Sequence, residues 1–340
     1  MSQPNDHPKY AFAKEKRKAS GVLATTHLDR HGERFTKEDL EQIAKEETLS
    51  DHPIWLNWNH QTTLPPIGVF THHRVQARQD GEYELVTDIE MLGDEDYEEL
   101  QNSSIQVVDD RAVAILRTLE PATPSYLEIS YDTLNFAPVA VRPVVKSLNE
   151  IVPTREEPTV RKAEIPEAVF WVLIGGIVSG FITRLGEVLA DKALETGRSL
   201  LKQLGERFAK LLELDPANRP DVIFSIHMPD TSTIIEGAVE DADKTTLSEA
   251  WESILELCAL AAHILEQNRR DYFAEVKFLF NPLSKKWEIN YITTRETKRV
   301  ILGPRYNDPT HPLHQRWTRE HKEMKQSTDL GMSIAGRLPG

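Results

Sequence analysis

Short apolar runs separated by polar turns dominate the first half of the chain and predict several β-strands. Residues 21–26 form one such run, residues 126–133 form another, and a run of regular alternation follows Gly68. Thr36 stands before an acidic stretch and is a candidate helix N-cap, and residues 112–119 have a helix-like pattern. The pattern therefore predicts a mostly β first half.

The middle of the chain holds an uncharged stretch followed by an amphipathic one. Residues 168–183 contain no charged side chain, and the stretch is shorter than the ~20 residues of a membrane span. We expect a buried or re-entrant helix here, and a membrane anchor is the alternative. Residues 185–214 predict a helix that either packs on its own domain or joins copies of the chain in a homo-oligomer. Its apolar side chains recur close to heptad spacing at Leu194, Leu201, Leu204, Phe208 and Leu211.

The last third predicts a small module with the order strand, strand, helix, strand, strand (ββαββ). The strands are expected at 222–228, 233–239, 272–280 and 286–294, with a helix that opens at Thr245 or Thr246. A turn-rich stretch over 281–285 joins the last two strands as a hairpin. We recognise in this module no Gly-rich phosphate loop, no metal-spaced His, Cys or Asp set and no paired carboxylates in an apolar strand. We therefore expect neither a cofactor nor a metal.

Changes in composition divide the chain into segments. Prolines and mixed charges without an apolar period mark residues 149–167 as a linker, and the basic stretch after Arg295 is typical of a solvated tail. We therefore predict an α+β protein in six segments: a flexible N-terminus (1–20), a mostly β domain (21–148), the linker (149–167), an apolar then amphipathic helical segment (168–214), the ββαββ module (220–300) and a basic, flexible tail (301–340).

Composition also limits the class of function. A formal net charge of -14 argues against a general nucleic-acid binder, because neutralising phosphates needs clustered Lys and Arg. The single cysteine, Cys258, excludes an intramolecular disulfide, and its apolar surroundings predict a buried thiol. Residues 1–20 are polar and lack the apolar core of a secretory signal. We expect a cytoplasmic protein, associated with a membrane only if residues 168–183 enter one.

An imidazole at the end of an aromatic-rich strand is the most distinctive chemical feature of the chain. The stretch Trp55-Leu56-Asn57-Trp58-Asn59-His60 carries it. Three further pieces accompany it: a strand with an Asp-Arg-His-Gly-Glu stretch within 21–34, Pro66-Ile67-Gly68, and the charged turn Asp80-Gly81. In this order the segment 21–148 resembles the prohead protease family, the serine proteases that mature the capsids of tailed phages.

The resemblance implies a mostly β protease fold and a protein substrate. In such a fold a serine attacks the peptide carbonyl and a histidine takes its proton. His60 matches the catalytic histidine of the family, and Ser130 in the predicted strand 126–133 is our first choice of nucleophile. The family usually has an aliphatic residue and Gly after this serine, and Tyr131 and Asp132 stand there instead. This departure affects the expected oxyanion geometry, because acyl transfer needs backbone donors aimed at the negatively charged oxygen.

A second alignment gives a different nucleophile. It matches residues 127–130 with a later family strand that carries an acidic residue, so that Ser104 becomes the nucleophile and Glu128 orients His60. A function of another class is consistent with the departure after Ser130, namely a non-catalytic interaction protein that kept the protease-like fold. The hydroxyl group that lies near the His60 imidazole distinguishes these alternatives.

Overall fold

Two β-sheets and the helices packed on them make up the described part of the chain. The computed structural model describes residues 18–28, 34–49, 53–57, 61, 63–100, 126–133, 136–159, 169–175, 202–214, 220–226, 233–267 and 272–329. Within these ranges one sheet has four strands and the other has nine. The predicted α+β class is therefore confirmed.

The four-stranded sheet is antiparallel. It is built from β1 (Lys18–Thr25), β2 (Ile54–Leu56), β3 (Gly68–Ala77) and β4 (Tyr83–Met91) in the order β1-β4-β3-β2, and α1 (Lys37–Leu49) packs on β3. The predicted cap of α1 is confirmed, because the Asp39 amide donates to Thr36 Oγ1 at 3.1 Å and the Thr36 amide donates to Asp39 Oδ2 at 2.7 Å. Gly81 turns the β3–β4 hairpin with a φ of 88°, a left-handed conformation that a side chain would strain.

The nine-stranded sheet mixes parallel and antiparallel pairs. Its strands are β5 (Tyr97–Glu99), β6 (Tyr126–Asp132), β7 (Thr154–Thr159), β8 (Val169–Gly175), β9 (Asp221–Ile226), β10 (Ile234–Val239), β11 (Phe273–Asn281), β12 (Lys286–Thr294) and β13 (Val300–Leu302). Their order across the sheet is β5-β13-β12-β11-β10-β9-β8-β6-β7. The strand predicted at 126–133 is present as β6, and after residue 220 two helices, Lys244–Glu252 and Ile254–Gln267, lie between the two pairs of strands where one long helix was predicted. The strands β9 to β12 belong to the same sheet as β8 and β6, because β9 pairs with β8 and β8 pairs with β6.

Helices cover one face of the nine-stranded sheet. They are α2 (Pro138–Asn149), α3 (202–208, continued by a 3-10 turn over Ala209–Leu214), α4 (Lys244–Glu252) and α5 (Ile254–Gln267), and they share one apolar core with the strands. The Thr246 amide donates to Asp243 Oδ1 at 2.8 Å, so Asp243 caps α4 and neither predicted threonine does. The opposite face contacts α6 (Pro312–Asp329) and the chain around Leu64 and Leu92.

The uncharged stretch 168–183 contains a strand where we expected a helix. Its described residues, 169–175, are β8, which pairs in parallel with β9 and antiparallel with β6. A strand covered on both faces is apolar at every position, and β-branched and aromatic residues favour the extended conformation. Val172 is fully buried. None of the helices in the described ranges is long and apolar enough to cross a membrane, and residues 176–183 lie outside those ranges.

Two segments expected to be irregular contain regular structure. In the predicted linker 149–167, β7 pairs in parallel with β6. In the predicted tail 301–340, the 18-residue helix α6 buries Leu313 against the sheet. Long-range pairing and burial therefore order sequences whose local composition indicates neither helix nor strand.

Apolar side chains of the predicted helical segments lie in the core of their own chain. Leu204, Phe208 and Leu211 are buried there, and the Phe208 ring centroid lies 4.6 Å from that of Trp251. The predicted burial of Cys258 in α5 is confirmed, and burial raises the pKa of its thiol to about 12. The other two heptad positions, 194 and 201, lie outside the described residues. A homo-oligomer through 194–211 stays a prediction.

Candidate functional site

The four residues predicted to carry catalysis fall into two groups. His60 and Ser104 lie outside the described residues. Ser130 and Glu128 lie on β6, on the face opposite Leu127, Ile129 and Tyr131, which are fully buried in the core. The structure therefore describes the surroundings of Ser130 and Glu128, and it also describes residues on both sides of His60 in the chain.

Ser130 lies in a strand that is paired on both sides. It is opposite Glu157 of β7 and Trp171 of β8. The backbone groups of a strand with two neighbours are used in the sheet hydrogen bonds, so the amides within β6 are not directed at a substrate oxygen. An oxyanion site needs donors aimed at the developing charge. The position of Ser130 does not offer them from its own strand.

Glu128 is half-buried beside another carboxyl group. A side-chain hydrogen bond with Glu157 is the main reason that the pKa of Glu128 is raised, burial adds to the effect, and the charge of Arg155 opposes it. Two carboxyl groups that share a proton behave in this way. Glu128 thus forms its described hydrogen bond with Glu157. The second alignment had predicted that Glu128 would orient His60.

The residues that flank His60 are attached to β12. Asn57 Nδ2 donates to the Gln61 carbonyl oxygen at 3.3 Å, and the Asn57 side chain also forms a hydrogen bond with the Tyr291 hydroxyl. Asn290 Nδ2 donates to the Thr63 carbonyl oxygen at 2.6 Å. Two adjacent residues of β12 therefore hold the two ends of the segment 57–63.

A β-bulge places Asn290 and Tyr291 on the same side of the sheet. Lys277 is opposite Tyr291, whereas the next residue of β11 is opposite Ile289, so Asn290 is the extra residue. The Gly303 amide donates to the Asn290 carbonyl at 2.8 Å. A side chain at Gly303 would begin 1.9 Å from the Ile289 carbonyl oxygen, so only glycine fits against the bulge. Without the extra residue, the two side chains would point to opposite faces.

Ser130 and Glu128 are remote from this attachment. Register places Glu128 in one row across the sheet with Ser225, Glu236, Lys277 and Tyr291, so all of them share a face. β8, β9, β10 and β11 separate β6 from β12, and five steps between strands correspond to about 24 Å. The structure therefore does not bring Ser130 or Glu128 next to the residues that flank His60.

A buried cluster of charges lies beside the attachment. It consists of Glu236 on β10, Glu275 and Lys277 on β11, and Tyr291 on β12. The Lys277 ammonium forms an ion pair with Glu236 and lies 3.4 Å from Glu275 Oε1. Lys277 is 2% exposed and Tyr291 is 1% exposed. We call these four residues the buried charged cluster.

Burial and mutual contact shift the pKa values within the buried charged cluster. Burial raises the pKa of Glu275 to about 7. The positive charge of Lys277 lowers this pKa, and the negative charge of Glu236 raises it. Burial alone would lower the pKa of Lys277, but the charges of Glu236 and Glu275 raise it. Burial also raises the pKa of Tyr291. Lys277 and Tyr291 thus stay protonated at neutral pH, whereas Glu275 can exchange a proton there.

Among the described residues, several polar side-chain atoms of the chain around His60 and of β12 are buried without a hydrogen-bond partner. Trp55 Nε1, Gln61 Oε1 and Thr63 Oγ1 belong to the chain around His60, and Thr293 Oγ1 belongs to β12 beside Glu275. Such atoms cost stability unless water or a ligand satisfies them. Among the residues that the structure describes, no group of three or more His, Cys, Asp or Glu is arranged to hold a metal ion.

The buried charged cluster was not predicted from the sequence. The expectation of no paired carboxylates concerned a single strand, and Glu236 and Glu275 lie on two neighbouring strands. A signal was present, because Glu275 and Lys277 are charged residues at same-face spacing in an otherwise apolar run. Comparisons of the chain with protein-family models, with curated proteins and with solved structures find no match.

Proposed function

We propose that the chain is a serine endopeptidase of the prohead protease type, with His60 as the base and Ser104 as the nucleophile. One observation carries the proposal: those pieces of the resemblance that lie in the described residues are in or beside one sheet. Residues 21–25 of the predicted strand lie in β1, the turn Asp80-Gly81 joins β3 to β4, and β2 precedes His60 in the chain. The Ile67 amide donates to the Leu56 carbonyl at 2.8 Å, which brings Pro66-Ile67-Gly68 beside the end of β2.

The geometry of the described residues argues against Ser130 as the nucleophile. Ser130 lies within a strand paired on both sides and about 24 Å, as five strand spacings, from the residues that flank His60. A serine and its base must come within about 3 to 4 Å. Ser104, the nucleophile of the second alignment, therefore replaces Ser130 in the proposal, and the same separation removes the orienting role that this alignment gave to Glu128. Glu128 is left out of the proposed catalytic group because its carboxyl is paired with Glu157.

In this proposal the chemistry is acyl transfer. The His60 imidazole takes the hydroxyl proton of Ser104 as the oxygen attacks a peptide carbonyl, and the same proton passes to the leaving amine. Water then hydrolyses the acyl-enzyme with His60 again as the base. Peptidase activity should rise with pH as the imidazole loses its proton, near pH 6 to 7 for an ordinary histidine.

A fluorophosphonate probe, which modifies activated serines, tests the proposal on the full-length protein. The wild type should be labelled, and Ser104→Ala and His60→Gln should lose the label and any self-cleavage seen by intact mass. Ser130→Ala is the matched control and should be labelled normally, because removing one hydroxyl from a strand leaves the fold intact. Label lost only in Ser130→Ala would move the nucleophile to the first alignment. Label retained in both serine variants would exclude both assignments.

A non-catalytic interaction protein is the second candidate. The observation that favours it is the separation of Ser130 and Glu128 from the residues that flank His60, together with Tyr131 and Asp132 at the positions where the family has an aliphatic residue and Gly. A folded wild-type protein that neither takes the probe nor cleaves itself would support this function against the peptidase.

A further inference from the structure

We propose that the buried charged cluster positions the described residues that flank His60, namely Asn57, Gln61 and Thr63, on the face of the nine-stranded sheet, with Tyr291 as the positioning residue. The structural part of the inference concerns these three residues and needs no catalytic activity. Its consequence for catalysis rests on the proposed function, because they flank His60 in the chain.

Tyr291 is the direct link between the cluster and the segment. Its hydroxyl forms a hydrogen bond with the Asn57 side chain, and Asn57 Nδ2 in turn reaches the Gln61 carbonyl at 3.3 Å. Asn57 thus connects the sheet to Gln61. The adjacent Asn290 adds a second attachment at Thr63, and the Tyr306 hydroxyl holds the Asn290 side chain at 2.9 Å.

The ion pairs of Lys277 with Glu236 and Glu275 explain why Tyr291 has a fixed position in the sheet. Lys277 is directly opposite Tyr291 in the sheet register, and Glu236 is directly opposite Lys277. The Lys277 ammonium holds Glu236 and Glu275 on either side. Charges this deeply buried are stable only in one well-paired arrangement, since moving either partner leaves a charge without compensation. The row of side chains on which Tyr291 stands is therefore rigid.

A catalytic imidazole needs this rigidity, because a displacement of about 1 Å costs a large factor in rate. Short loops gain it from hydrogen bonds to a scaffold strand. In the proposed peptidase, Tyr291 acts through Asn57 on the position of the base and touches neither the substrate nor the nucleophile.

Hydrogen exchange of the full-length protein tests the structural part. Tyr291→Phe removes only the hydroxyl and should make the amides of residues 57–63 exchange roughly fivefold to tenfold faster, the effect of one lost buried hydrogen bond. Tyr272→Phe is the matched control, because Tyr272 is partly exposed at the start of β11, and it should leave these amides unchanged. Peptides from β9 should keep their protection in both variants.

A double-mutant cycle separates the link from general loosening. Asn57→Ala should accelerate exchange in residues 57–63 by a similar factor, and adding Tyr291→Phe should increase it little further, because both changes break one contact. Fully multiplicative effects, or unchanged exchange in Tyr291→Phe, would overturn the positioning role whether or not the protein is a peptidase.

Labelling kinetics test the catalytic part. In Tyr291→Phe the maximal rate of fluorophosphonate labelling should fall while the probe concentration for half-maximal rate stays constant, since the base is displaced and the binding surface is not. Altered exchange with an unchanged labelling rate would restrict Tyr291 to a structural role. A wild type that takes no label would refute the proposed function and the catalytic part, and the exchange result would still decide the structural part.

Discussion

The burial of Glu275 couples the stability of the fold to pH. Its side chain is 15% exposed, and its pKa is raised by burial to about 7 from an ordinary value of 4.5. Below pH 4.5 the carboxyl is protonated in both the folded and the unfolded chain. Between pH 4.5 and about 7 the unfolded chain releases the proton while the folded chain keeps it, so the free energy of unfolding falls as pH rises through this window.

Replacing Glu275 with glutamine should remove this part of the pH dependence. The wild type should lose stability on the order of 2 kcal/mol between pH 5 and pH 7 more than Glu275→Gln does, because the amide has no proton to release. Urea unfolding at several pH values measures the difference, and Glu256→Gln on the exposed side of α5 is the control. Parallel curves for the wild type and Glu275→Gln would contradict the assigned shift.

At the residue scale, the run around His60 could be recognised in the sequence, whereas Tyr291 and the rest of the buried charged cluster could not. The run around His60 was recognisable because its aromatic residues and imidazole are contiguous. Tyr291 was not, because one extra residue at Asn290 changes which face each side chain takes. Local alternation carries no information about such a bulge. The ion pair of Lys277 with Glu236 joins residues 41 positions apart, and single-strand patterns cannot reveal it.

At the element scale, β8 shows why a short apolar run is ambiguous. A strand buried on both faces and a buried helix are both apolar at every position, so periodicity does not separate them. The enrichment of residues 169–174 in aromatic and β-branched side chains was the available signal for a strand. The helix α2 was not predicted because Pro143 in its interior argues against a helix. Its apolar side chains are nevertheless at helical spacing, at Val141, Val144, Val145 and Leu148.

A buried charge in β8 tests its position in the core. Val172→Asp should unfold or aggregate the protein, because an unpaired carboxylate at this fully buried position costs several kcal/mol. The same change at Val139, which is 76% exposed in the first turn of α2, should be tolerated. Circular dichroism and the soluble fraction after expression measure both. Soluble, folded Val172→Asp would contradict the interior position of β8.

At the scale of the whole molecule, pairing between distant parts of the chain defines the nine-stranded sheet. β5 near residue 98 pairs with β13 near residue 301, and β8 joins β6 to β9. Composition and local pattern placed a boundary at 149–167, because prolines and charges are frequent there. Which strands become neighbours depends on the burial of whole faces, and a linear pattern does not encode it.

A fragment ending at Leu148 should therefore not fold on its own. Such a fragment would lack β7 and β8, the two neighbours of β6, and β13, the neighbour of β5. It would also expose Leu64, Val69 and Leu92, which pack against side chains of β9 to β12. We expect narrow amide dispersion in its NMR spectrum and no cooperative thermal transition. A chain ending at Asp329 should instead unfold in one transition like the 340-residue chain, because it keeps all the described strands and helices of the two sheets. A dispersed spectrum and cooperative unfolding of the short fragment would show instead that the four-stranded sheet is an independent domain, and the contacts of Asn57 and Thr63 with β12 would then join two separately stable units.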